Sequence, residues 1–229
     1  MKLIIIRVIL LFLIVISPIV LKAQLYGPSF KFSTGYTLLP RGENNYPDYT
    51  FLGPGNLYGG VSKYRTLELE YTFYDDTHLY YNGYHYGFTT GIWLENSRNG
   101  LLNINTFEKK YEEITSIGIP LLLANKRFAW QNHARLGVVP SIDINRKTSD
   151  EFLWNTRPYH LDLYFSFGFD NIIKRTRSDG WFWTIEIDSR YNILNHTYKD
   201  QVKLWKIGAK IGIYYQFDWY HYRGWDNNY

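Results

Sequence analysis

Residues able to do acid–base chemistry are plentiful in this chain, but few stand at the spacings that chemistry needs. Asp75-Asp76 and His160-Leu161-Asp162 come nearest to a hydrolytic set. His and Asp two residues apart share one face of a strand, so a water polarised between them and an aspartate pair is physically possible. Against this, Asp-Asp is a common loop pair, and a rim salt bridge explains the His/Asp pair as well. The six histidines, at 78, 85, 133, 160, 196 and 221, make no i, i+2 or i, i+4 pair, so no metal site is expected. With no cysteine there is no thiolate, disulfide or lipid-anchor chemistry. No catalytic residue and no cofactor is assigned.

The other charges follow a different pattern. By strand alternation, Lys31, Glu68, Glu70, His133, Arg135, Asp143, His160, Asp162, Glu186, Asp188, Arg190, Lys206 and Lys210 lie opposite the apolar faces of their segments. Setting the histidines aside, the acids and bases nearly balance, six against five. Charges inside a narrow barrel are costly unless paired, so an interlocked network is expected. A ring of one sign would have argued for a selective pore. The mixture argues for a polar filling, either structural or pore-lining.

The elements that carry these charges are long two-faced strands. Trp205, Ile207, Ala209, Ile211, Ile213, Tyr215 and Phe217 form one face of the last, and Lys206, Gly208, Lys210, Gly212, Tyr214 and Gln216 the other. Nine further segments alternate similarly: 30–39, 57–63, 67–73, 84–94, 101–107, 113–123, 127–143, 159–170 and 181–194. Phe88 is expected to point outward, and Pro120 to interrupt its ladder. Turns or loops are expected at 41–56, 75–82, 95–100, at Asn125-Lys126, and at 144–157 and 174–180. The fold class is therefore an all-β, antiparallel, up-and-down transmembrane β-barrel of ten strands, with eight as the alternative if the 84–107 hairpin is an extracellular ornament. The two longest loops, 41–56 and 144–157, fall on one side.

The first residues have the order of a secretory signal: Lys2 and Arg7, an apolar run from Val8 to Val20, then Ala23-Gln24. The expected organisation is a signal peptide at 1–23, a barrel at 24–217 and an aromatic tail at 218–229. Removing Lys2, Arg7 and Lys22 lowers the formal charge from +4 to +1, so nucleic-acid binding is not expected. Aromatic residues make up 19% of the chain, and such rings favour membrane–water interfaces.

Glu113-Ile-Thr-Ser-Ile-Gly-Ile-Pro-Leu-Leu-Leu123 resembles a strand of the PorT-like, small OmpA-like outer-membrane barrels common in Bacteroidetes. Ala134-Arg-Leu-Gly-Val-Val139, Ser189-Arg-Tyr-Asn-Ile-Leu194 and Tyr215-Gln-Phe217 extend the resemblance through the second half. It implies the barrel fold, with a function in the envelope, including secretion or gliding machinery in a few members. The tail after Phe217 departs from that pattern. Separately, Asp75-Asp76 with His160 and Asp162 is similar to the rim site of omptin proteases.

The resulting expectation is a monomeric, non-enzymatic barrel exported to the outer membrane, with a structural or interaction role. Its partners would be outer-membrane lipid and another envelope protein or a glycan at loops 41–56 and 144–157. A narrow channel for ions or small solutes is the second reading, and a rim hydrolase the third.

Overall fold

In the computed structural model the described residues are 24–38, 49–52, 62–74, 84–127, 132–149, 157–175, 180–194 and 203–216. They form β1 (Gln24–Leu38), β2 (Tyr49–Phe51), β3 (Lys63–Tyr74), β4 (Tyr84–Asn103), β5 (Lys109–Gly118), β6 (Leu121–Arg127), β7 (Asn132–Thr148), β8 (Tyr159–Arg175), β9 (Gly180–Asn192) and β10 (Trp205–Gln216). All pairings are antiparallel, and β1 closes on β10. The ring runs β1, β3, β4, β5 with β6, β7, β8, β9, β10, so it has eight positions. β5 and β6 are one wall strand broken at Ile119-Pro120, where proline has no N–H for the ladder. β2 pairs with β4 at Asn103, outside the ring.

Eight rather than ten follows from β4. Glu95–Gly100, expected as a turn, is strand, paired with β3 on one side and β5 on the other. Its residues still alternate: Glu95, Ser97 and Asn99 are buried, Asn96 and Arg98 exposed. Because both faces are polar there, hydropathy alternation vanishes while the extended backbone continues. The expected strand 101–107 is the end of β4 and its turn; the Asn103 side chain accepts from the backbone N–H of Asn105 and Thr106, and Phe107 has φ 56°.

Other boundaries shift for similar reasons. Asn125 and Lys126 belong to β6, opposite Ala134 and His133. Residues 144–148 belong to β7, with Ile144 bulged out of its ladder with β5. β8 continues through Arg175, into the expected turn 174–180. Phe88 keeps its outward register, between Phe73 and Leu123, but is covered rather than exposed. Most of 41–56, of the expected strand 57–63 and of 150–157 lies outside the described residues, as do 1–23, 75–83 and 217–229.

The register defines the shear. From Tyr36 the ladder partner on one side is Lys63. In the other direction the partners are Ile207, Ser189, Phe165, Leu136, Leu123, Phe88 and finally Phe73. Lys63 and Phe73 are ten residues apart on β3 (73 − 63), so this eight-stranded barrel has a shear of ten. Eight strands leave an interior just wide enough for side chains. The connections Leu38–Lys63, Thr148–Tyr159 and Asn192–Trp205 lie at one end, called here the long-loop end. The connections from Arg127 to Asn132 and from Arg175 to Gly180 lie at the other, with Gln24 and Gln216.

Small residues make room inside. A Cβ on Gly168 would lie 2.5 Å from Glu186 Cγ, 2.6 Å from the Ile185 carbonyl oxygen and 2.8 Å from His133 Nε2. Gly168→Ala is expected to cost about 1–3 kcal/mol by overpacking. Urea unfolding of the refolded barrel in detergent micelles would measure it, and an unchanged midpoint would contradict the packing described.

Candidate functional site: a charged and aromatic lumen

The barrel is inverted relative to a water-soluble protein. Its outer face carries Phe30, Phe32, Leu67, Leu69, Ile92, Leu94, Phe165, Phe167, Phe169, Ile185, Ile187, Ile211 and Ile213, all exposed. Its buried set is dominated by polar and charged residues. Of the residues singled out by alternation, Lys31, Glu68, Glu70, His133, Arg135, His160, Asp162, Glu186, Asp188, Arg190 and Lys210 are buried, and Lys206 is half-buried.

At mid-height Arg135 bridges two carboxylates. Its Nη1 donates to Glu70 Oε2 at 2.7 Å, and its Nη2 pairs with Glu186. Lys31 Nζ reaches the same two, 2.7 Å from Glu186 and 3.0 Å from Glu70. Trp93 Nε1 donates to the remaining Glu70 oxygen at 2.9 Å. Lys210 Nζ donates to both oxygens of Glu68, at 2.6 and 2.8 Å, and sits 4.2 Å from the Trp93 ring centroid. Arg135 and Lys31 thus each meet two carboxylates and Lys210 one, and charge-assisted bonds of this kind are the strong ones.

A second layer lies toward the long-loop end. Arg190 Nη1 reaches Glu95 at 2.8 Å and its Nε reaches Asp188 at 3.0 Å. Lys206 Nζ is 2.6 Å from Glu95 and 3.5 Å from Asp162. The Tyr64 hydroxyl donates to Asp188 at 3.1 Å, and the Arg190 guanidinium packs 4.6 Å from the Trp93 centroid. Above this layer His160 Nε2 lies 2.9 Å from Asp143 Oδ1, while Asn192 Nδ2 lies 3.2 Å from His160 Nδ1. A cavity of about 10 Å³ remains there, between Glu95, Asn99, His160, Asn192 and Lys206, near the size of one water.

Toward the short-turn end a third layer joins Lys126 to Asp170 at 2.7 Å and Tyr214 to Asp170 at 2.9 Å. His133 spans this layer and the middle one, 3.2 Å from Asp170 and 3.3 Å from Glu186. Phe182 stacks on Tyr214 with centroids 5.0 Å apart.

Aromatic and aliphatic groups fill what charge leaves open. Trp93, Leu122, Val139 and Tyr164 form a buried cluster inside the ring, with Trp93 edge-on to Tyr164 at 5.2 Å. Tyr64, Trp93, Glu95, Lys126, Tyr164, Asp170 and Tyr214 join the network beyond the residues named above from alternation. Alternation with Glu68 and Glu70 would have found Tyr64, and alternation with Asp162 would have found Tyr164. Glu95 and Lys126 escape alternation because each stands in a stretch of turn-like composition.

The residues nearest to a hydrolytic set are not brought together. β3 delivers the chain at Tyr74 opposite Gln24, at the short-turn end, whereas His160 sits near Ile142 and Tyr159 at the long-loop end. Asp75 and Asp76 lie outside the described residues. His160 faces Asp143 and Asn192 rather than an aspartate pair following β3. Among the described residues no group of three or more His, Asp or Glu could hold a metal ion.

A closed antiparallel ring with apolar residues outside and ion pairs inside defines a membrane β-barrel. The backbone N–H and C=O groups of its wall are satisfied strand to strand, as a lipid environment demands. No family model and no curated protein matches the chain. A similar solved structure is that of the outer membrane protein OprG from Pseudomonas aeruginosa. The two are 12% identical with a TM-score of 0.41, over 86% of this chain and 97% of that one.

Proposed function

We propose that this protein is a small outer-membrane β-barrel whose lumen is closed, and that it serves a structural or interaction role rather than transport or catalysis. The observation that carries this reading is the mid-lumen knot of Arg135, Lys31, Glu70 and Glu186, backed by Trp93 and Tyr164. A solute passing it would have to separate charges already paired across the barrel, and a buried charge stripped of its partner is costly. The three longest connections share one end, while both strand termini and the Tyr74–Tyr84, Arg127–Asn132 and Arg175–Gly180 connections share the other, which supports the outer membrane, where such barrels have this form. In this reading residues 1–23 are a cleaved export signal and the mature chain is a monomer kinship-marked by its PorT-like segment 113–123. The interaction surface is the long-loop end, where β2, β4, β5 and β7 rise beyond the rest of the ring.

Planar-bilayer recording of the refolded mature protein tests the closed lumen. Folding is verified first by its heat-dependent shift on a gel. The expected trace is silent; stable, reproducible conductance steps would overturn the reading in favour of a narrow channel.

A further inference from the structure

The outer wall changes character abruptly on β3 and β4. One ladder row reads Phe32, Leu67, Leu94, Ile117 and Ile142, all outward and exposed. Two residues further toward the long-loop end, about 7 Å along the strands, Arg65 stands beside Asn96. After two more, Lys63 stands directly opposite Arg98. All three cations are exposed, and among the described residues none of them has an ion-pair partner. Like charges directly opposite across a sheet are destabilising, and here two oppose with a third diagonal to Arg98. Such an arrangement is compensated when an anion lies between them.

The surroundings identify that anion. Tyr36, outward and exposed, is the ladder partner of Lys63, and Trp205, also outward, pairs with Leu38 next along β1. Aromatic rings at the edge of an apolar band mark the headgroup level of a membrane. Tyr111 provides a ring 4.0 Å from the Arg98 guanidinium, which restrains that side chain. Arginine and lysine at headgroup height bind phosphate through charge-assisted hydrogen bonds. Among the described residues Glu113, opposite Arg98 on β5, is the acidic group adjoining the patch, so the balance there remains positive.

We propose that Lys63, Arg65 and Arg98 form an external binding site for the phosphate monoester of a phosphorylated glycolipid in the outer leaflet, with Tyr36 and Tyr111 packing beside its headgroup. This rests on the membrane reading above, and places the long-loop end on the outside of the cell. A phosphate monoester carries nearly two negative charges, which suits three clustered cations better than a singly charged phosphodiester does.

The test is native mass spectrometry of the refolded mature protein released from vesicles of phosphatidylcholine containing bisphosphorylated lipid A. Parallel vesicles contain dephosphorylated lipid A, or phosphatidylglycerol instead. The wild type is expected to retain lipid A, and the K63Q/R65Q/R98Q variant to retain at least tenfold less. These outward positions lie apart from the lumen network, so the variant should keep the wild-type heat-dependent gel shift; R65Q alone, with a partial loss, guards against misfolding of the triple variant. Equal retention by wild type and variants, or equal retention of dephosphorylated lipid A or phosphatidylglycerol, would overturn the proposal while leaving the barrel reading intact. Failure of the folded wild type to enter any vesicle would overturn both.

Discussion

Arg135→Met is expected to destabilise the barrel by about 3–5 kcal/mol, the usual cost of removing one member of a buried ion pair. The reason is what stays behind. Glu70 and Glu186, both fully buried, would be left sharing Lys31, with no guanidinium on Glu70 Oε2 or Glu186 Oε2. The hydroxyl of Tyr164 and the Oγ of Ser166 would each lose a donor as well. Reversible urea unfolding in phospholipid vesicles, followed by tryptophan fluorescence, measures the change. The double variant R135M/E70Q should recover a substantial part of the loss, because it removes one charge of each sign and leaves Lys31 paired with Glu186. A single-variant effect below about 1 kcal/mol, the scale of exposed pairs, would mean that water reaches Arg135. That result would count against the closed lumen independently of any conductance record.

Ile211→Arg is the second large effect. Ile211 lies between Phe32 and Ile185 on the outer face, midway along β10 between Trp205 and Tyr215, and is 58% exposed. In a water-soluble protein such an exposed position tolerates arginine within roughly 0.5 kcal/mol. Facing the centre of a bilayer, the same change should cost about 2–4 kcal/mol, with a smaller penalty toward either edge of the apolar band. Arginine at Trp205, six residues away, should therefore cost much less. Equal, negligible penalties at the two positions would contradict the membrane-spanning assignment, whatever the fold.

The two experiments probe opposite faces of one alternating pattern, which is why so much of the fold could be read from the chain. In β8, Leu163, Phe165, Phe167 and Phe169 alternate with Asp162, Tyr164, Ser166 and Asp170, and a period of two admits only an extended segment with two environments. Pro120 likewise announced the break between β5 and β6. The strand count was harder. Glu95–Gly100 has a turn-like composition because its outward side has left the apolar band, and only pairing with both β3 and β5 reveals it as strand. Lys126 was misread for the same reason at the opposite end.

The chain by itself determined which residues share a face, because alternation is a local property of an extended backbone. It could therefore name Lys31, Glu186, Arg135 and Glu70 as inward, but not join them, since 155 residues separate Lys31 from Glu186. Which acid meets which base depends on the shear, and the shear is a property of the closed ring. The tertiary structure also decided that His160 and the end of β3 lie at opposite ends of the barrel, which dissolved the apparent hydrolytic set. It brought Lys63 and Arg98 side by side, which no local pattern in either strand could indicate.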